Sequence, residues 1–536
     1  MKVIYPVKTI AYEGVKNVDA LRAEQPLQIG LMEKNTAVFS GKSYVILDFS
    51  KELSAGIRIL VHRVNGEGKV RLRFGESVTE TCAELGFKGA SNDHSNRDFT
   101  ADLQDYSDMT FGGSGFRFLR LDVLGENSEI TVKSIVAVSD ADERKEIGCF
   151  ECDDERINEI WKTAAYTLRL CLHNGFFWDG IKRDRLVWIG DLHPEMKSAF
   201  ALYADVPEAK NSLVFSENET KLPDWINGIP MYSFWWLIIL CDDYTHGGDR
   251  EFVKARLPYA KSILSQIDEY IDESGETHFP VNFIDWPTHY TEEDGEEKKR
   301  DEYAGVHYLL KIAAEKMLRL LNEFGEETAK CRRILEKLFR KSFKVGKYKQ
   351  IAALGVLAGE KTEHNREILL ADGAKGFSTF MSYSILSAMA AYGEYESALS
   401  ALKEYYGGML DLGATSFWED FDVTWKENAF RIDELPVAGK KDVHGDYGAF
   451  CYKGFRHSFC HGWASGVVAY LSEKVLGIEP EGVGCKKFRI RPHLDGLNRV
   501  KGAYPTPYGT LYVEHHIKDG KTETMVRAPE EIEILY

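Results

Sequence analysis

The sequence has no uninterrupted apolar run of the roughly 18 residues that a membrane-spanning helix needs; its longest, FWWLIIL at Phe234–Leu240, reads as buried helix. Its start, MKVIYPVKTIAYEG, lacks a charged segment followed by an apolar stretch, so no export signal is expected. Positive charge is in deficit: 67 Lys and Arg against 84 Asp and Glu leave a net −17, which argues against nucleic acid or an anionic membrane as partner. The nine cysteines are odd in number and scattered, as in a chain from a reducing, cytoplasmic compartment. Cys149 and Cys152 form a CxxC, but no second pair stands at zinc-finger spacing, so no metal site is expected. No phosphate-binding loop, redox-cofactor motif, internal repeat or low-complexity tract is found, and no cofactor is expected.

What is present is length, aromatics and a change of period. A chain of 536 residues exceeds one hydrophobic core. Up to about residue 140, short alternating runs (Ile57 to Val61, VRLRF at Val70–Phe74, Phe116 to Leu124) are divided by turn signals at Asn65-Gly66, Gly112-Gly113 and Gly125-Glu126-Asn127. From about 150 the period becomes helical: Val253, Leu257, Ala260, Leu264, Ile267 and Ile271 form one stripe. Val306, Leu310, Ala313, Met317, Leu321 and Phe324 form another, with Gly325 as its stop. Further runs lie at 153–173, 191–205, 228–244, 328–341, 377–392, 394–405 and 458–476. After Gly484 alternation returns in KFRIRP, TLYVEHHI and TETMVR. The expected layout is an N-terminal antiparallel β-sandwich (1–145), an all-α domain (146–480) of ten to twelve helices, and a C-terminal β-sandwich (481–536).

Four segments carry candidate chemistry. FWDGIKRDRLVWIGDLHPE (177–195) interleaves Asp179, Asp184, Asp191 and Glu195 with Lys182, Arg183, Arg185, Trp178 and Trp188. Charges usually lie on solvated faces; mixed with indoles they suit a sugar, whose hydroxyls bond carboxylates and guanidinium groups while its ring stacks on flat aromatics. The plainer reading is an ion-paired helix start with two core tryptophans and Asp191 as N-cap. GATSFWEDFD (413–422) places Glu419, Asp420 and Asp422 among aromatics; NFIDWPTHY (282–290) holds Asp285 and Trp286; HSFCHGWASG (457–466) holds His461 and Trp463. Hydrolysis of a glycosidic bond needs two carboxyl groups flanking it, one acid and one base or nucleophile. Asp184 and Glu419 come from distant segments, as a cleft requires.

WDGIKRDRLVWIGD, KGFSTFMSYSILSAMAAYGEYESAL, GATSFWEDFD and FCHGWASGVVAYLSEKVLGIEPEGVGCKKFRIRP occur in that order. Together they resemble the bacterial α-L-rhamnosidases of glycoside hydrolase family 78 from about residue 148 to the C-terminus. The resemblance implies an (α/α)6 barrel flanked by β domains and hydrolysis of a small rhamnoside or rhamno-oligosaccharide with inversion. It implies Asp184 as general acid, where many members have Glu, and Glu419 as general base. It implies Asp179, Asp191, either Lys182 or Arg183, and His461 as sugar ligands, with Trp188, Trp286 and Trp463 as walls. Cys460 stands where relatives often have Asn. Two other readings are another inverting glycosidase on the same barrel and a catalytically silent sugar-binding relative.

Overall fold

A computed structural model describes residues 2–536. Between Lys2 and Ser139 the chain forms one seven-stranded sheet in which every pairing is antiparallel. Its central strand, Ala37–Asn65, bends at Ser50, whose φ is +72°. Both arms then pair with one stretch of Glu129–Ser139, since Ser40 and Asn65 each lie opposite Glu129. The sheet thus folds over a core that includes Phe39, Leu47, Ile57, Ile59, Leu72 and Phe116. Gly112-Gly113, expected as a turn, instead lies inside the strand Ser107–Val123. Both glycines have positive φ, and the register slips opposite them between Ala55 and Ile57, as at a β-bulge.

Twelve α-helices lie between Glu155 and Tyr470 among the described residues. Ile189–Leu202 packs on Pro230–Gly247, that on Glu296–Glu323, and that on Lys349–Leu357; the succession continues through Ser382–Ala391 and Val467–Tyr470 back to Ile189–Leu202. The other six alternate with these along the chain. The stripe from Val306 to Leu321 is buried, and its helix stops where Gly325 adopts φ +67° and Glu326 N donates to the Leu321 carbonyl at 2.9 Å. Lys349–Leu357 escaped the periodicity because all but its last residue are buried, leaving no polar face to mark it. The helix expected over 458–476 is broken into a 3₁₀ turn at Gly462–Gly466, the single α turn Val467–Tyr470 and a π turn at Leu471–Val475. No helix among the described residues is long and apolar enough to cross a membrane.

The C-terminal region departs from the expected antiparallel sandwich. Lys487–Ile490 pairs with Glu533–Leu535 in parallel. Cys149–Cys152 and Ile478–Pro480, inside the range expected to be helical, are strands of the two C-terminal sheets. One hydrophobic core runs through helices and C-terminal strands alike, from Trp161 and Met196 to Phe488 and Val513. The N-terminal region is tied to the helical region by a small apolar cluster of Ala83, Ala90 and Phe455 and by polar contacts. Arg117 is clamped by Asp48 through two bonds of 2.9 Å and donates to the Gly413 carbonyl at 3.1 Å, at the start of the loop carrying Glu419. Removing one partner of a buried ion pair costs about 3–5 kcal/mol. Arg117→Ala should therefore lower the thermal unfolding midpoint by several degrees; an unchanged midpoint would contradict the clamp.

Candidate active site

Three loops are stitched together by backbone hydrogen bonds. Gly462 N donates to the Asp179 carbonyl at 2.6 Å, His461 N to Phe417 at 3.0 Å and Glu419 N to Ser458 at 2.9 Å. Gly180 and His461 form an isolated β-bridge. Gly462 is required by this closeness, because a Cβ there would lie 1.6 Å from Glu195 Oε1. Arg183 and Asp184 of GIKRD, Glu419 of FWE, and His461 and Trp463 of CHGW consequently face one cavity of about 250 Å³. Asp179, Arg183, Asp184, Trp188, Asp191, Trp286, Glu419, His461 and Trp463 all line it.

Arg183 stands between the two candidate carboxyl groups. Its Nη1 donates to Asp184 Oδ1 at 2.9 Å and its Nη2 bonds Glu419 Oε1 closely. Glu419 Oε2 accepts from Ser458 N at 3.1 Å. Burial pushes the Glu419 carboxyl up, but Arg183 and His461 outweigh it and hold the group near 2, so it is ionised. Asp179 and Asp191 are shifted up, chiefly by burial; for Asp179 the charges of Asp191 and Asp184 add to this. His461 Nε2 lies 3.1 Å from Asp191 Oδ1. Burial opposes its charge, yet Glu419, Asp191 and Asp179 raise its pKa.

The walls are aromatic. Trp188 meets the edge of Tyr232, Trp286 that of Phe283, and Trp463 stacks on Phe380 while its Nε1 donates to the Glu419 carbonyl at 3.0 Å. Tyr232, Phe283, Ile229, Val281, His289 and Cys451 also line the cavity, and sequence reasoning passed over them. Tyr232 and Ile229 lie in or beside an apolar helix read as core, and nothing in their local pattern marks a site. Of the three acids after Trp418, Glu419 alone lines the cavity: Asp422 caps a 3₁₀ turn, and half-buried Asp420 is pushed up to about 7, first by desolvation and then by Asp285.

Several expectations are corrected. Lys182 is no sugar ligand. Its buried ammonium leaves the cavity for Glu76 (2.8 Å), Glu80 (3.2 Å) and the carbonyls of His457 (2.6 Å) and Phe455 (3.0 Å). The alternation of directions along the turn sends Lys182 one way and Arg183 the other. Glu76, Glu80 and His444 are close enough to share a cation, and the Lys182 ammonium already sits among them, 3.4 Å from His444 Nε2. Asp191 is not an N-cap: Trp188 holds that position, and Asp191, in the first turn, faces His461. Trp178 stacks on His173 outside the cavity, and Cys460 packs with Cys171 and Ile181. A larger cavity of about 580 Å³ shares no residue with this one. In it Lys197 pairs with nearby Glu473 at 2.7 Å and His193 with Asp242 at 3.4 Å, whereas the candidate carboxyl groups line the smaller cavity.

The bacterial alpha-L-rhamnosidase 6 hairpin glycosidase domain matches residues 145–352, and the bacterial alpha-L-rhamnosidase C-terminal domain matches residues 477–534. No curated protein sequence matches the chain. Among solved structures, the fold is similar to a family 78 rhamnosidase of Bacillus sp. GL1 (19% identity, TM-score 0.76, covering 97% of this chain and 55% of that one). It is similar to a rhamnosidase from Klebsiella oxytoca with rhamnose bound (18% identity, TM-score 0.67, 88% and 95%). A Streptomyces avermitilis α-L-rhamnosidase complexed with L-rhamnose is also similar (14%, TM-score 0.68, 92% and 48%). The chain thus spans about half the length of the Bacillus and Streptomyces proteins. Residues 145–352 and 477–534 are thus matched to the two domains of the bacterial α-L-rhamnosidases, and the fold is similar to that of solved family 78 rhamnosidases.

Proposed function

We propose that the chain is an inverting α-L-rhamnosidase that removes terminal α-L-rhamnose from small rhamnosides or oligosaccharides. The observation that carries this reading is the pair of carboxyl groups, Asp184 and Glu419, held on the two terminal nitrogens of one guanidinium beside an aromatic-walled cavity of monosaccharide size. Asp184 gives its proton to the glycosidic oxygen. Glu419, already ionised, takes a proton from a water that attacks the anomeric carbon from the opposite face. A guanidinium between the carboxyls keeps them from meeting face to face, which supports the wider spacing of about 6.5–9.5 Å that an inverting pair uses to admit water.

Asp179, Asp191, Arg183 and His461 bond the rhamnose hydroxyls, while Trp188, Trp286 and Trp463 face its apolar side and C5 methyl. The bound rhamnose in the Klebsiella and Streptomyces proteins supports the sugar. The closed succession of six helices, each alternating along the chain with an outer partner, supports an (α/α)6 barrel. Nine cysteines, free throughout the described residues, support a reducing, cytoplasmic setting.

Hydrolysis of p-nitrophenyl α-L-rhamnoside, followed by NMR as it starts, should release β-rhamnose first. Early α-rhamnose would mean retention, and binding without turnover would mean a sugar-binding relative. Asp184→Asn should slow an alkyl rhamnoside by about 10²–10⁴ and the nitrophenyl one much less, since that leaving group needs no proton. Equal losses would take the acid role from Asp184. Glu419→Gln should abolish turnover while rhamnose still binds; retained activity would take the base role from Glu419.

A further inference from the structure

We propose that His94, brought against Asp184 by the N-terminal β layer, is the group through which Asp184 regains its proton after each turnover. The inference rests on the inverting reading above and adds a residue from outside the helical domain. His94 Nδ1 lies 3.3 Å from Asp184 Oδ1. The side chains grade outward in exposure, with Glu419 at 4%, Asp184 at 18% and His94 at 36%. His94 therefore touches the acid on one side and water on the other.

The reaction requires such a path. Each inverting turnover leaves Asp184 without its proton and Glu419 with an extra one. Arg183 stands between them, and a guanidinium does not release a proton in proteins, so it cannot pass one across. The acid must be reloaded from solvent. Imidazole suits this because it both gives and takes a proton near neutral pH. Nδ1–H donates its proton to the Asp184 carboxylate while Nε2 accepts one from solvent; proton exchange with water then restores Nδ1–H, and Glu419 releases its extra proton to water, so charge and protons balance over the cycle.

The loop bearing His94 is fastened to the Asp184 loop and to the segment whose Ser458 N–H bonds Glu419. Asp93 pairs with Arg456, two residues before Ser458. Ser95 Oγ donates to the Lys182 carbonyl at 2.9 Å and lies 3.1 Å from Ser114 Oγ. His94 and Asp184 both hold left-handed backbone, with φ of +66° and +57°. Non-glycine residues adopt that region at a cost, and such strain gathers at functional sites. Here it brings two short-reaching side chains together. The other ionisable groups nearby are Arg183 on Asp184, Cys451 in the wall, Glu419 beyond Arg183, the Asp93–Arg456 pair, and Arg185, whose guanidinium bonds the carbonyls of Ile181 and Gly113 instead.

The test is chemical rescue. In His94→Ala, kcat on an alkyl α-L-rhamnoside should fall at least about ten-fold, within the general range of proton-transfer contributions. KM should stay, and kcat on the p-nitrophenyl substrate should change little, because the acid is not spent there. Added imidazole should restore the alkyl rate, and His94→Gln should lose it with kcat rising with buffer concentration. Equal losses on both substrates, or no response to imidazole and buffer, would leave His94 a merely structural contact and overturn the proposal. If His94→Ala does not fold, the buffer dependence of His94→Gln decides alone. A wild type inactive on every rhamnoside would overturn the function itself, whereas an active wild type with unimpaired His94 variants would overturn this inference only.

Discussion

Everything in the site is arranged around one buried guanidinium. Arg183 is exposed by only 7% and spans two carboxylates that would otherwise repel each other inside a poorly solvated cavity. Burial opposes its charge, and the attraction of Glu419 and Asp184 more than compensates. A pair of carboxylates without it would draw a shared proton and lose the division into acid and base. With it, Glu419 is held ionised, while Asp184 stands at the cavity edge, the more exposed of the two.

That arrangement depends on what lies behind the loop. Lys182, the next residue, faces the other way and gathers Glu76, Glu80 and two carbonyls of the 455–457 segment. Burial pushes the Glu76 carboxyl up to about 7 even against the ammonium beside it. Phe459 N donates to Glu76 at 2.7 Å, and Ser77 Oγ lies 2.8 Å from His444 Nδ1. The N-terminal sheet thus reaches under both carboxylate loops and is part of the site's framework. Gly115 repeats the point: its N–H donates to the Ile181 carbonyl at 3.0 Å, and a Cβ there would strike Ile181 and Lys182.

Sequence legibility followed the range of the interactions. The long helices were readable because Val306 to Leu321 form a one-sided stripe, and the site segments were readable because carboxylates and indoles are rarely interleaved without a task. What escaped were features set by distant chain. Lys349–Leu357 is buried all round and shows no period; the Cys149–Cys152 strand is defined by its pairing with Arg499–Thr506. Whether Lys182 or Arg183 faces the sugar depends on a turn with left-handed Asp184 and Arg185 that no residue type announces. Tyr232 and Phe283 look like core and become walls only because the loops open there. His94 lies in a polar stretch, SNDHSNRD, that composition alone reads as solvent-exposed loop.

The central claim is that the cavity around Arg183 holds the sugar undergoing cleavage. A crystal structure of the protein soaked with L-rhamnose tests it most directly. The account predicts the ring against Trp188 and Trp463, its hydroxyls on Asp179, Asp191 and His461, and its anomeric carbon between Asp184 and Glu419. Rhamnose bound instead in the larger cavity beside Lys197 and Tyr383, with the Arg183 site empty, would contradict it.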